Sequence, residues 1–305
     1  MKGIIIPGAL VLGRMSDSGD GNDLSDIDLT SATLDPRLTF QCVSQHAYYD
    51  SDGLIKFAAP NEWPLEYRDG IAIGRHEPEP QRTNVITDSL LTADVLPGSS
   101  SGAADWRSYR ATANDFVTAP DGGQARVVTI TADGVGSGIY QRASLLNAAF
   151  PISISAYCKT SSACSVYAER GTGGRIVFGA AAGWQRGTGV ITGAESSYAG
   201  TLVAYSTADN KNGDTFALCG LQAEAGEFAT SPIITTPGVA ATRAAAFAFV
   251  PNPGLLATAA RIYYTDGTTY DIEFSGAASG EIPPASMPWA TRYIEGVSYA
   301  KGFSR

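Results

Sequence analysis

Histidine is almost missing from this chain: His46 and His76 are the only two in 305 residues. Neither sits in an H-E-x-x-H or comparable ligand spacing, which argues against a zinc hydrolase, and both are read as surface or turn residues. Cysteine is scarce too. Cys42, Cys158, Cys164 and Cys219 are scattered, their spacing fits no C-x-x-C ligand set, and they are expected to be reduced, buried thiols. Long apolar runs are also lacking. The longest, residues 244–250, falls far short of the roughly 20 residues that span a bilayer, so no membrane insertion is expected. Basic residues are in deficit, 21 against 30 acidic, for a net charge of −9. A surface of that sign repels a phosphate backbone, and nucleic acid is not expected as a partner. The opening MKGIIIPGALVLGRMS superficially resembles a secretion leader, but Pro7, Gly8 and Gly13 interrupt it and no small-x-small cleavage site follows. Its apolar residues 3–13 are read instead as an anchoring strand that adds to another protein.

What the chain does have is apolar substance and punctuation. Hydrophobic residues make up 44% and charged ones 17%, enough for a packed core. With 34 Gly and 16 Pro, turns are frequent. Helical periodicity is nearly absent. Short runs rich in Val, Ile, Thr, Tyr and Phe recur instead: ARVVTIT, FPISISAYCKT, CSVYAERG, GRIVFGA, TLVAYST, TFALCGLQAE and ARIYYTDGTTYDIEF. Their spacing predicts an all-β protein built on a sandwich. Ile152, Ile154 and Ala156 alternate with Ser153 and Ser155, which predicts one face in the core and the other toward water or a partner. Asp266-Gly267 predicts a two-residue hairpin turn. Three sections are expected: an irregular attachment region over 1–85, a sandwich over 86–240, and a small β-hairpin domain over 241–305.

Three segments, read in order, resemble a family of bacteriophage virion proteins with a carbohydrate-binding-module-like jelly roll, found in tail fibres, minor tail proteins and head spikes. Residues 48–84 resemble its "Y-D-S-x-G-x-I-x-x-A-x-x-N" opening and the "E-P-x-R-T-N" that follows. ISAYCKT at 154–160 and GWQRGTGVIT at 183–192 are similar to its "F-S-x-Y-V-K" and "W-x-R" strands. Residues 213–245 resemble the closing "G-D-x-x-x-x-x-G-x-Q-L-E-x-G-x-x-A-T-S-x-I-P-T", with Ala223 in place of the customary Leu and Ile234 in place of Pro. The resemblance implies a jelly-roll sandwich in a non-enzymatic structural component of the virion, assembled in the host cytoplasm. It implies other virion proteins as partners, a homo-oligomer such as the trimer of fibres and spikes, and contact with host cell-surface polysaccharide. A purely architectural decoration or tail-tip protein without a ligand stays open, as does, less favoured, a secreted polysaccharide-degrading enzyme.

The residues weighed for chemistry are few. Glu224 and Glu227 are a candidate carboxylate pair for glycoside cleavage, read as structural acids because they lie in the closing strand and turn. Asp20, Asn22 and Asp23 offer oxygens for calcium, but in a single copy of a turn that binds metal by stacking, so no cofactor is expected. Trp106, Tyr109 and Tyr140 are the candidate glycan contacts, aromatic rings near loops able to lie under a sugar. Trp184, at the family's strand position, is read as core.

Overall fold

In the computed structural model of this chain, the described residues are 23–98, 105–133, 136–142, 150–169, 171–194, 201–206 and 210–301. The apolar segment 3–13, with Asp20 and Asn22, lies outside them. β-branched and aromatic side chains fit a pleated surface better than a helical one, and the described chain follows that preference. Its only helix is the single turn Pro253–Leu255.

The sandwich is a pair of six-stranded sheets. Edge to edge, the first consists of Ala111–Thr118, Gln124–Ile130, Thr215–Ala225, Ile152–Thr160, Ala181–Ala194 and Gly171–Gly173. The second consists of Ile176–Phe178, Cys164–Ala168, Thr201–Ser206, Gly138–Arg142, Trp106–Tyr109 and Leu96–Pro97. Period-two alternation sends Ile130, Ile154 and Leu218 of the first sheet against Ile139, Val166 and Leu202 of the second, all fully buried. Each such side chain contributes roughly 1.5–3 kcal/mol by leaving water. The all-β jelly-roll expectation holds. The expected exposure of Ser153 and Ser155 does not: both are buried, and Ser153 Oγ donates to the Phe228 carbonyl at 2.9 Å. This central strand is covered on both faces, and small serines with a nearby acceptor permit it.

Among the described residues, 23–85 and 241–301 do not form the separate sections expected. Ile27, Leu29, Phe40 and Trp63 share one hydrophobic core with Val250, Ile262, Phe274 and Ile294. Strands of two and three residues cannot bury a face alone, so Ile27–Asp28 pairs with Ile294–Lys301, and Thr39–Gln41 with Phe247–Pro251. The sandwich is thus inserted into a second β unit, and Arg82–Asn84 pairs with Ala241–Arg243 where the chain leaves and returns. A third cluster joins the two. Ala47, Ile55 and Trp289 of the composite unit pack on Ala125, Tyr157 and Cys219, which lie on the outer face of the first sheet. Tyr49 stacks on Trp289 at 4.8 Å, and its hydroxyl meets that of Tyr157 at 2.8 Å.

The hairpin at Asp266-Gly267 is present between Ala257–Tyr264 and Thr269–Glu273, but its loop is longer than two residues. Gly267 N–H returns to the Tyr264 carbonyl, only Gly267 takes a positive φ (81°), and the Asp266 carboxylate accepts from Thr268 N–H at 2.9 Å. That is a turn closed by a left-handed glycine, a bulged hairpin in which Asp266 serves as side-chain cap.

Both histidines are buried rather than at the surface. Their rings pack edge to face at 5.0 Å, between Phe40 and the Glu66 carboxylate, which lies 2.9 Å from His76 Nδ1. Burial, with His76 beside it, pushes His46 down to about 4. The unfolded chain takes up this proton near pH 6.5 and the folded chain only near 4, so stability falls as pH drops through that window and is unaffected above it. Chemical denaturation from pH 7 to 4 is expected to lose about 3 kcal/mol from this group, and His46→Leu to flatten that part of the profile.

Candidate functional site

The motif residues themselves form no ligand site; they are consumed in holding the chain. Asp50 Oδ1 accepts the N–H groups of Asp52 and Leu54 at 3.0 and 2.8 Å, and Asn61 Oδ1 accepts that of Cys42 at 2.9 Å. In the second motif, Glu77 forks onto Arg292 at 2.7 and 3.0 Å. Glu79 accepts from Ser231 N–H and Oγ–H, both at 2.6 Å, and pairs with Arg243 at 2.9 Å. Burial alone would raise the Glu79 carboxyl, but Arg243, His76 and the Ser231 donors hold it below the usual range. The Asn84 side chain donates to the carbonyls of Leu221 and Ile233 and accepts from Ile86 and Ala223 N–H. From the closing motif, Gln222 Oε1 accepts Ile233 N–H at 2.7 Å. Glu224 is buried and accepts from Thr230 N–H at 2.6 Å, Thr230 Oγ1 at 2.8 Å and Gln222 at 2.9 Å, while Glu227 stands exposed. Glu79, Arg243, Ser231, Gln222, Glu224, Thr230 and Asn84 form one buried polar clasp where the sandwich meets the composite unit.

A second group of aromatic and basic side chains lies elsewhere, on the outer face of the second sheet, where Ser165 and Val203 are themselves buried. In Trp106–Tyr109, Trp106 and Ser108 turn inward while Arg107 and Tyr109 turn outward. In Gly138–Arg142, Ile139 points to the core, leaving Gly138, Tyr140 and Arg142 outside. Val166 and Ala204 are core residues, so Tyr167 and Tyr205 face out. Register then aligns two rows: Tyr109, Gly138, Tyr205 and Ser165 in one, Arg107, Tyr140, Val203 and Tyr167 in the other. Tyr167 and Tyr205 meet edge to face at 6.5 Å and 83°. Gly138 is the hollow of this face. A Cβ there would lie 2.1 Å from the Ala204 carbonyl oxygen and 3.0 Å from Cδ1 of Tyr205, so its bareness lets that ring settle against the backbone.

Burial first, then Glu169 and the neighbouring phenols of Tyr140, Tyr167 and Tyr109, push the Tyr205 hydroxyl well above the ordinary phenol range. It stays a neutral hydrogen-bond donor throughout the physiological range. Each ring has an apolar body and a polar tip; neighbours within a row are about 5 Å apart by strand spacing, and the two rows are about 7 Å apart along the strands.

Of the residues singled out in the sequence, Tyr109 is on this face and 53% exposed. Tyr140 is on it but 9% exposed, its hydroxyl tied to the Gly98 carbonyl at 3.0 Å. Trp106 is not: it is 2% exposed in the sandwich core, its indole N–H on the Asp88 carbonyl at 3.1 Å, so it offers no ring to a ligand. Trp184 is half-buried against the joint between the units rather than in the sandwich core, and its indole N–H reaches the Thr118 carbonyl at 3.0 Å. Tyr167, Tyr205, Arg107, Arg142 and Arg175 went unselected. The alternation in CSVYAE and TLVAYS carried the signal for both tyrosines, since fixing Val166 and Ala204 inward fixes the tyrosines outward.

The first sheet has a groove of about 470 Å3 on its outer face, lined by Val117, Val127, Lys159, Thr160 and Thr215. It holds no aromatic ring. Among the described residues no three His, Cys, Asp or Glu side chains gather as metal ligands, and Asp23 is held by Ser25 N–H and Arg37. No described helix is long and apolar enough to cross a membrane. All four cysteines are buried and unbridged.

Fold and face together define a class: an all-β protein whose jelly-roll sandwich, inserted in a second β unit, presents an outward tyrosine face. No protein-family model and no curated protein matches the chain. Among solved structures it is similar to a provisionally assigned sugar-binding protein from Bacteroides thetaiotaomicron, at 11% identity over 47% of this chain and 100% of that one, TM-score 0.36. It is also similar to a carbohydrate-binding module of family 4, at 13% identity over 45% of this chain and 97% of that one, TM-score 0.34. Likenesses this loose carry no weight for function.

Proposed function

We propose that this chain is a non-enzymatic structural protein of a bacteriophage particle, a tail fibre, minor tail protein or head spike, whose sandwich contacts host-surface glycans during adsorption. The observation that carries the glycan reading is the gathering of Tyr109, Tyr140, Tyr167 and Tyr205 on one outer sheet face. The sandwich rests on the composite unit through its first sheet, which leaves that face turned away from the joint. The virion reading is supported by the ordered motif series, of which Glu79, Asn84, Gln222 and Glu224 meet in one clasp, and four buried thiols suit a chain assembled in a reducing cytoplasm. Other virion proteins and further copies of the chain, as a trimer, are the proposed partners. Single-site sugar contacts are weak, and avidity across copies supplies the adhesion.

Particles carrying Tyr109→Ala or Tyr205→Ala are expected to assemble normally and adsorb to host cells roughly five- to tenfold more slowly, on the scale of about 1–1.5 kcal/mol per lost aromatic contact. Intact particles with unchanged adsorption rates would instead favour the architectural reading, which the structural employment of Asp50, Glu79, Asn84 and Glu224 also supports.

A further inference from the structure

Three arginines frame the tyrosine face. Arg107 lies opposite Tyr140 across the sheet, and Arg142 sits two residues beyond Tyr140 on the same side of its strand. At the other end Arg175 lays its guanidinium over the Tyr167 ring, 3.9 Å from the centroid. Arg107 and Tyr167 are three strands apart, about 14 Å at the usual spacing. One row of the face therefore runs Arg107, Tyr140, Val203, Tyr167, with Arg175 over the last ring.

The charges are largely uncompensated. Arg142 and Arg175 are exposed and have no carboxylate partner among the described residues. Arg107 reaches only Asp105, at 3.5 Å and with the carboxylate 62% exposed, and its buried Nε has no hydrogen-bond partner. So loose and wet a pair holds its arginine weakly. Glu169, near Tyr205, is another acid close to this face. Arg292, Arg243 and Arg37 pair with Glu77, Glu79 and Asp35, and Arg261 forks onto Asp271 at the surface. In a chain of net charge −9, such a cluster of available guanidinium groups is a local reversal of sign. Guanidinium is the side chain best shaped to take a carboxylate in two parallel bonds.

We infer that the tyrosine face selects an acidic polysaccharide, an extended chain with carboxylates spaced to reach Arg107 and Arg142 at one end and Arg175 at the other while its sugar rings lie on Tyr109 and Tyr205. This rests on the glycan reading above and names its ligand class.

The test uses the full chain and three probes: polygalacturonate, neutral dextran, and a single-stranded thymidine oligonucleotide, which shares the charge but not the sugar chain. Polygalacturonate is expected to bind at least tenfold more tightly than dextran, to weaken at least tenfold between 50 and 500 mM salt, and to lose at least tenfold in the Arg142→Gln/Arg175→Gln variant. Both substituted side chains are exposed, and an unchanged circular dichroism melt verifies the fold. Dextran bound as well as polygalacturonate, with no effect of the arginine changes, overturns the acidic class and leaves glycan binding standing. Tighter binding of the oligonucleotide overturns it in favour of a nucleic-acid face. Binding of none of the three by a folded sample overturns both the acidic class and the glycan reading.

Discussion

Glu79→Gln is expected to destabilise the protein by about 3–5 kcal/mol, read as a lowered urea midpoint with the slope unchanged. The Glu79 carboxylate and the Arg243 guanidinium lie 2.9 Å apart, each all but excluded from water. Amide for carboxylate keeps the shape and can still accept from Ser231, but it leaves a guanidinium buried without its counter-charge. That uncompensated ion, not the lost attraction as such, is the larger part of the effect. Replacing both partners, as in Glu79→Met/Arg243→Met, is accordingly expected to lose less than Glu79→Gln alone. A double variant weaker than the single one would contradict this account of the clasp.

Trp106→Ala is expected to lose about 3–5 kcal/mol, as an indole removed from a closed core leaves a cavity the sandwich cannot fill. The Asp88 carbonyl also loses its donor, and a buried acceptor left unpaired adds to the effect. Tyr109→Ala, two residues along, is expected to stay within about 0.5 kcal/mol of the parent because the ring stands in solvent. The two changes thus separate stability from binding. Lost adsorption in Trp106→Ala reports a damaged fold, whereas lost adsorption in Tyr109→Ala reports a lost contact. Comparable destabilisation by the two would contradict the strand phase assigned to Trp106–Tyr109.

That phase shows why the sequence was legible in some places and not in others. Runs such as ARVVTIT and TFALCGLQAE became Gln124–Ile130 and Thr215–Ala225, because β-branched and aromatic residues bounded by turn formers leave little choice of local structure. Trp106-Arg107-Ser108-Tyr109 is different: each face of the strand offers one aromatic and one polar residue, so composition cannot say which is inside. Its neighbours in the second sheet decide. The serines of Ile152–Thr160 failed for a related reason, since alternation reports one covered face and cannot report that a second body covers the other. The sharing of a core between residues 27–63 and 246–297 rests on pairings more than 200 residues apart in sequence, such as Ile27 with Val297, which no local pattern encodes. The buried histidines belong with these; the short runs around them carry polar neighbours, and only the long-range packing of Phe40 and Trp63 encloses them.

The tyrosine face was half legible. Tyr109 and Tyr140 could be selected as aromatics near turns, but Tyr167 and Tyr205 needed the inward phase of Val166 and Ala204, and the joining of all four needed the strand order of the second sheet. The motif series acted in the opposite sense. Its residues are the most recognisable in the chain and the least available for binding, since Asp50, Glu79, Asn84 and Glu224 each have several internal partners. A motif of this sort marks a fold, and the proposed ligand contacts are residues outside it.

The central claim is that ligand meets the outer face of the second sheet. Amide hydrogen exchange of the full chain, with and without saturating host envelope polysaccharide, locates that contact directly. The account predicts slowed exchange in 105–109, 138–142, 164–169 and 201–206, with residues 159–161 and 215–217 of the opposite groove unchanged. Protection confined to the groove around Lys159 and Thr215, with the tyrosine strands unaffected, would contradict it.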